Sequence, residues 1–214
     1  MVKKIKHVTF DLDGTLINSG STIYKTTLKA LNVLNIKAVI KEKEFNRMIG
    51  AHFINIFNEL KIVVKDVNQF IDIYKGFYFD FIDDSKFYPG VIETLQYLQQ
   101  KNIYISLLTT KGQDQAEKII KHFNLDKYFN FIMGRRDGIG HKPSAEPLLV
   151  ICKEIDVKPE ETLIVGDTEL DILCGKSANA STCAVTYGYR TKENLEENKP
   201  DYIISELSEL KEII

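Results

Sequence analysis

The sequence has no run of about 18 apolar residues, the length a membrane-spanning helix needs, and no C-x-x-C pair. It has little excess charge: the formal net charge is -2 over 214 residues, and the lysines are spread along the chain. The first absence argues against a membrane partner. The near-neutral balance argues against a nucleic-acid partner, which a strong basic field would attract. The three cysteines, Cys152, Cys174 and Cys183, have no metal-ligand spacing, and their odd number offers no disulfide framework. They read as reduced, partly buried thiols of a reducing compartment. The opening MVKKIKHVTF is basic but lacks the apolar run and small-residue cleavage site of a signal peptide. A cytoplasmic protein is therefore expected.

What is present is ordinary in bulk, with 44% hydrophobic and 27% charged residues, and fits one domain of ordinary size or one core domain with a small insertion. Short apolar runs at 7–10, 103–108, 129–133, 162–165, 182–185 and 202–204 read as strands buried on both faces. Amphipathic stretches at 91–101, 113–123, 144–155 and 170–180 separate most of them. This alternation predicts an α/β fold, a Rossmann-like parallel sheet covered by helices on both sides. Ligands of such sheets bind at the carboxyl ends of the strands. From about 17 to 85 the alternation stops, and segments 21–34, 41–49, 54–60 and 67–81 have helical apolar spacing instead. The expectation is a core made of 1–16 and 87–214 with an all-helical cap inserted at 17–86. The crossings near 16–19 and 83–89 would act as hinges.

Chemistry-bearing residues gather at the predicted strand ends. The first strand runs into Asp11-Leu12-Asp13-Gly14-Thr15, whose i, i+2 carboxylates point to one side. Taken alone, that is a solvated turn or a calcium loop, but the twelfth loop position holds Thr22 where an EF-hand needs Glu. The strand at 103–108 ends in Thr109-Thr110-Lys111-Gly112, hydroxyls and N–H groups suited to phosphate at a helix start. Lys142-Pro143 precedes the helix expected from 144, with Pro143 suited to its first turn. The strand at 162–165 ends in Gly166-Asp167-Thr168-Glu169-Leu170-Asp171, two carboxylates four residues apart on one face of an opening helix. Four acids at one edge repel unless a cation separates them. Mg²⁺ is the usual choice where carboxylates meet a substrate phosphate.

These four segments resemble, in order and spacing, the four motifs of the haloacid dehalogenase superfamily, and the insert resembles that superfamily's helical cap. Within it the chain is most similar to phosphoglycolate phosphatases, through Lys142-Pro143-Ser144-x-Glu146-Pro147-Leu148, Val165-Gly166-Asp167-Thr168 and the late Tyr187-Gly188-Tyr189. The resemblance implies a Mg²⁺-dependent phosphatase acting on a small phosphorylated metabolite. Asp11 would be the nucleophile and Asp13 the general acid and base. Thr109, Lys142 and the backbone N–H groups of Leu12 and Thr110 would bind the phosphoryl oxygens. Asp11, the Asp13 carbonyl, Asp167 and Asp171 would form the metal site, with Asp171 holding a water of the metal or orienting Lys142. Arg47, Gly50 and His52, in an expected inter-helix turn of the insert, would reach the leaving group.

Other assignments stay open. A sugar phosphomutase, a pyrophosphatase and a nucleotidase share these motifs. A dehalogenase has no need for Asp13 or the Asp167/Asp171 pair, and nothing marks Lys41, Lys43 or Lys61 as the buried Schiff-base lysine of a phosphonatase. His141 and Arg135-Arg136 read as surface residues, and the aromatic stretch at 74–81 as packing. A monomer or homodimer suits the chain.

Overall fold

The computed structural model describes residues 4–214. It falls into two compact units, one made of the residues up to Leu16 together with Tyr88–Ile214, the other of Ile17–Phe87. The chain enters through β1 (His7–Phe10) and passes into the second unit through β2 (Ile17–Asn18). Four helices follow there: α1 (Gly20–Val33), α2 (Glu42–Asn46), α3 (Phe53–Glu59) and α4 (Val67–Phe77). A 3₁₀ stretch, Tyr78–Asp84, and β3 (Lys86–Phe87) close that unit. The first unit resumes with α5 (Val91–Gln100), β4 (Tyr104–Gly112), α6 (Gln113–His122), β5 (Phe131–Arg135) and α7 (Glu146–Glu154). It continues through β6 (Thr162–Gly166), α8 (Glu169–Ser177), β7 (Ser181–Val185), α9 (Lys192–Glu197), β8 (Tyr202–Ile204) and α10 (Leu210–Ile213).

The first unit is a six-stranded sheet of order β5-β4-β1-β6-β7-β8, parallel throughout. β1 lies between β4 and β6, where the winding reverses, so the crevice of a doubly wound sheet opens beside its carboxyl end. The Rossmann-like α/β architecture expected from the sequence is the architecture found. All four residues of β1 are buried, as are all five of β6 and of β7, which is why these strands read as unbroken apolar runs. Helix ends have a sequence signature of their own. Asn35, Asn102, Asn124, Asp156 and Asn179 take positive φ just past α1, α5, α6, α7 and α8. At each, the next N–H returns to a carbonyl of the last turn, as in Ile103 to Leu98 and Ala180 to Gly175. These are left-handed C-terminal caps, which Asn and Asp tolerate better than other non-glycine residues.

The second unit has its own core. Phe53, Phe57, Phe70 and Tyr74 form edge-on and stacked pairs with centroids 4.8 to 6.1 Å apart. Aromatic contacts of this kind add to the area they bury. Inside α1, the buried Thr26 and Thr27 hydroxyls donate to the carbonyls of Thr22 and Ile23 four residues back. The unit is not wholly helical: β2 and β3 pair antiparallel, Ile17 with Phe87 and Asn18 with Lys86. Two-residue strands are too short for a period-two pattern, so the sequence pattern does not reveal them. Among the described residues, no helix is long and apolar enough to cross a membrane.

Candidate active site

Asp11 leaves β1 while its N–H still donates to the Val165 carbonyl of β6 at 2.9 Å. The side chain therefore starts at the carboxyl edge, at the switch point. Carboxylate oxygens of Asp11, Asp167 and Asp171 lie within 4.8 Å of one another, and all three residues are buried. Lys142 Nζ sits 2.6 Å from Asp11 Oδ1 and 2.6 Å from Asp171 Oδ1. The other oxygen of Asp171 accepts from the N–H (3.1 Å) and hydroxyl (2.7 Å) of Thr168. Thr168 is the N-cap of α8, so the helix start fixes Asp171 and Asp171 fixes Lys142. Asp167 accepts from the Tyr189 N–H at 2.8 Å and the Thr15 hydroxyl at 3.3 Å.

Glycines let the backbone close around these acids. Gly14 has φ +90, and a Cβ there would run into the Asp167 carboxylate. Side chains at Gly166 and Gly188 would strike Asp171 and Asp167 in the same way. The sharp exit from β1 thus needs glycine both for its dihedral and for space.

The electrostatics are those of crowded acids with too few cations. Burial holds the Asp11 carboxyl well above its ordinary value; Lys142 opposes the rise, and Asp171 and Asp13 add to it. Burial, then Asp11 and Asp171, push Asp167 up as well, against the Tyr189 N–H and Arg190. Burial alone would lower the Lys142 ammonium, but Asp11 and Asp171 more than reverse it, and the group stays charged. With all three ionised, the carboxylates would leave two negative charges against one ammonium, which a divalent cation would balance. The donors are hard oxygens, with no sulfur or nitrogen ligand, and this set suits Mg²⁺.

Several expectations need adjustment. The strand carrying Thr109 and Thr110 does not stop at 108 but continues to Gly112, with its pairing to β5 irregular between Leu108 and Gly112. The helix after Lys142-Pro143 starts at Glu146 rather than 144, and Pro147, not Pro143, occupies its first turn. Asp167 and Asp171 do not share a helix face, because α8 begins at Glu169 and Asp167 is the residue leaving β6. Asp171 works from the first turn. Thr109 is buried, and its Oγ1 accepts from the Lys111 N–H at 3.3 Å. Leu12 is buried and Thr110 half-buried. Arg47, Gly50 and His52 belong to the other unit, in the turn between α2 and α3, where the His52 ring accepts from the Ile54 N–H and caps α3. His141 is exposed, and Arg136 is engaged with Gln113 and the Ile132 carbonyl.

Sequence reasoning passed over four contributors. Lys111 Nζ lies 2.9 Å from Asp13 Oδ2. Tyr189 and Thr15 hold Asp167. Arg190 pairs with Glu169 at 2.8 Å. The advance signals were Thr15 at the end of the first acidic segment, the lysine directly after Thr109-Thr110 and the Tyr187-Gly188-Tyr189 segment.

The family of haloacid dehalogenase-like hydrolases matches over residues 8–185. Pyrophosphatase PpaX of Bacillus mycoides (strain KBAB4) is 35% identical over 212 residues, covering 99% of this chain and 97% of that protein. The crystal structure of a predicted phosphoglycolate phosphatase from Haemophilus somnus 129PT superposes with a TM-score of 0.84 at 25% identity, over 98% of this chain and 97% of that one. A hydrolase from Pseudomonas syringae gives 0.82 at 25% identity, over 98% and 99%. With the family matched from β1 through β7 and a relative aligned almost end to end, the chain belongs to the haloacid dehalogenase-like hydrolases.

Proposed function

We propose that the protein is a Mg²⁺-dependent phosphatase that hydrolyses a small phosphate ester or anhydride through an aspartyl-phosphate on Asp11. The observation that carries this reading is the buried group of Asp11, Lys142, Asp167 and Asp171 at the switch point of the sheet. Asp11, the Asp13 carbonyl, Asp167 and Asp171 would hold the cation. Bound there, it offsets carboxylate charge and polarises the phosphoryl group.

The chain's own residues supply the rest. The Asp11 carboxylate attacks phosphorus, the bond to the leaving oxygen breaks, and the Asp13 carboxyl gives that oxygen its proton. Asp13 then takes a proton from the water that attacks the aspartyl-phosphate, releasing phosphate and restoring Asp11. Lys142, the Thr109 hydroxyl and the N–H groups of Leu12 and Thr110 would bind the transferring oxygens. Preorganised donors of this kind are the main contribution protein groups make to phosphoryl transfer. The resemblance to phosphoglycolate phosphatases favours phosphoglycolate as substrate. The 35% identical relative named as a pyrophosphatase favours inorganic pyrophosphate.

The test is phosphate release from a panel holding both compounds, sugar phosphates, nucleoside monophosphates and an aryl phosphate, with Mg²⁺ or with chelator. Release that needs Mg²⁺ and disappears in Asp11→Asn is the expected outcome. Release that survives Asp11→Asn would refute the covalent route.

A further inference from the structure

We propose that Lys111 selects the leaving group, and that the substrates are phosphate compounds whose leaving group carries negative charge of its own. The inference rests on the aspartyl-phosphate reading above and narrows its substrate class.

Three observations converge on residue 111. Its ammonium lies 2.9 Å from Asp13 Oδ2, and both side chains are about nine-tenths buried. Its backbone N–H donates to the Thr109 hydroxyl, which ties the same residue to the phosphoryl side of the site. It also lies in the stretch where β4 loses regular pairing with β5, between Leu108 and Gly112. Such irregularities re-aim side chains beside active sites.

The geometry then constrains the substrate. An oxygen that receives the Asp13 proton lies within about 3 Å of that carboxyl. It therefore lies no more than about 8 Å from the Lys111 ammonium, by adding that reach and the width of the carboxyl to the contact. Lys142 does not serve this side, since its two short contacts go to Asp11 and Asp171. A sugar or nucleoside leaving group, neutral at this point, would offer a buried ammonium hydroxyl acceptors but no opposite charge. A leaving carboxylate or phosphate gains an ion pair in a site largely closed to water, where such pairs are strong. Inorganic pyrophosphate, which leaves as phosphate, and phosphoglycolate, which leaves as glycolate, both meet the requirement. The alternative is that Lys111 only neutralises Asp13, in which case its loss harms every substrate alike.

The experiment compares the faster of inorganic pyrophosphate and phosphoglycolate with the carboxamide of phosphoglycolate, which is similar in shape but has a neutral leaving group. In the wild type, kcat/KM for the anionic leaving group exceeds that for the carboxamide by at least about tenfold, the scale of one charge-assisted contact. Lys111→Met brings that ratio down to near one, a loss of about tenfold, and Lys111→Arg keeps most of it. An equal loss on both substrates in Lys111→Met overturns the assignment. If that variant does not fold, a wild-type ratio near one overturns it by itself. A wild type that turns over all three at similar rates defeats only the Lys111 role. A wild type that releases phosphate from none of them, nor from an aryl phosphate, defeats the phosphatase reading and this one with it.

Discussion

The strands β1, β4 and β6 carry a buried polar group at each end, and the two groups are built on opposite principles. At the amino end, His7 stands between Ser106 (2.8 Å) and Thr162 (3.0 Å), both hydroxyls of the flanking strands. The Thr162 hydroxyl also reaches the Lys158 carbonyl at 3.2 Å. Every atom is satisfied if His7 is neutral, with Nδ1–H donating to Thr162 and Nε2 accepting from Ser106. At the carboxyl end, three acids crowd one lysine and negative charge is left over. The difference separates two uses of buried polarity. Neutral, completed networks hold strands in register, whereas charged, incomplete ones are poised to bind something else.

The sharpest test of that contrast is Asp11→Asn, with the largest expected effect. Activity falls roughly 10⁴-fold, as for the loss of a covalent nucleophile. Thermal stability stays at or above the wild type, because one crowded carboxylate is gone and Lys142 keeps Asp171. A calorimetric scan showing a clearly lowered Tm would break the comparison, since the acids would then be structural after all.

Next in size is Lys142→Met. It leaves Asp11 and Asp171 buried without their ammonium, a change that typically costs about 3 to 5 kcal/mol. Urea unfolding at neutral pH should show that loss, and millimolar Mg²⁺ should restore part of it by binding the folded form. If added Mg²⁺ leaves the variant unchanged, the carboxyl end is not a cation site.

Legibility followed the same division. The carboxyl end was readable because its residues are dense in sequence at strand exits: Asp11 and Asp13 are two apart, and Asp167 and Asp171 four apart. The bounds of β1 and β8 were readable because short, mostly apolar runs bounded by polar residues mark strands. His7 was counted into such a run and passed as apolar, since its partners lie 99 and 155 residues away and no local pattern announces them. The Tyr189 N–H that holds Asp167 is a backbone donor, and backbone donors leave no trace in side-chain identity. Lys111 stood in plain view within Thr109-Thr110-Lys111-Gly112 but was given no role of its own, because its partner Asp13 lies far off in sequence.

The smallest predicted effect isolates the amino end. Burial holds the pKa of His7 down to about 3, against about 6.5 for an exposed imidazole in the unfolded chain. A depressed folded value means the stabilisation is complete above about pH 6.5 and drains away as pH falls toward 3, because only the unfolded chain takes up the proton. Between pH 7.5 and 5.5 that single group withdraws about 1.4 kcal/mol. His7→Leu should lower stability at pH 7.5, by about 1 to 3 kcal/mol for each hydroxyl left unpaired. It should also lose less between pH 7.5 and 5.5 than the wild type does, by that same 1.4 kcal/mol. Urea midpoints for both proteins at the two pH values measure the difference. Equal losses in both proteins would mean that His7 takes up its proton in the fold as readily as in the unfolded chain, and the neutral, self-contained character of the amino end would fail with it.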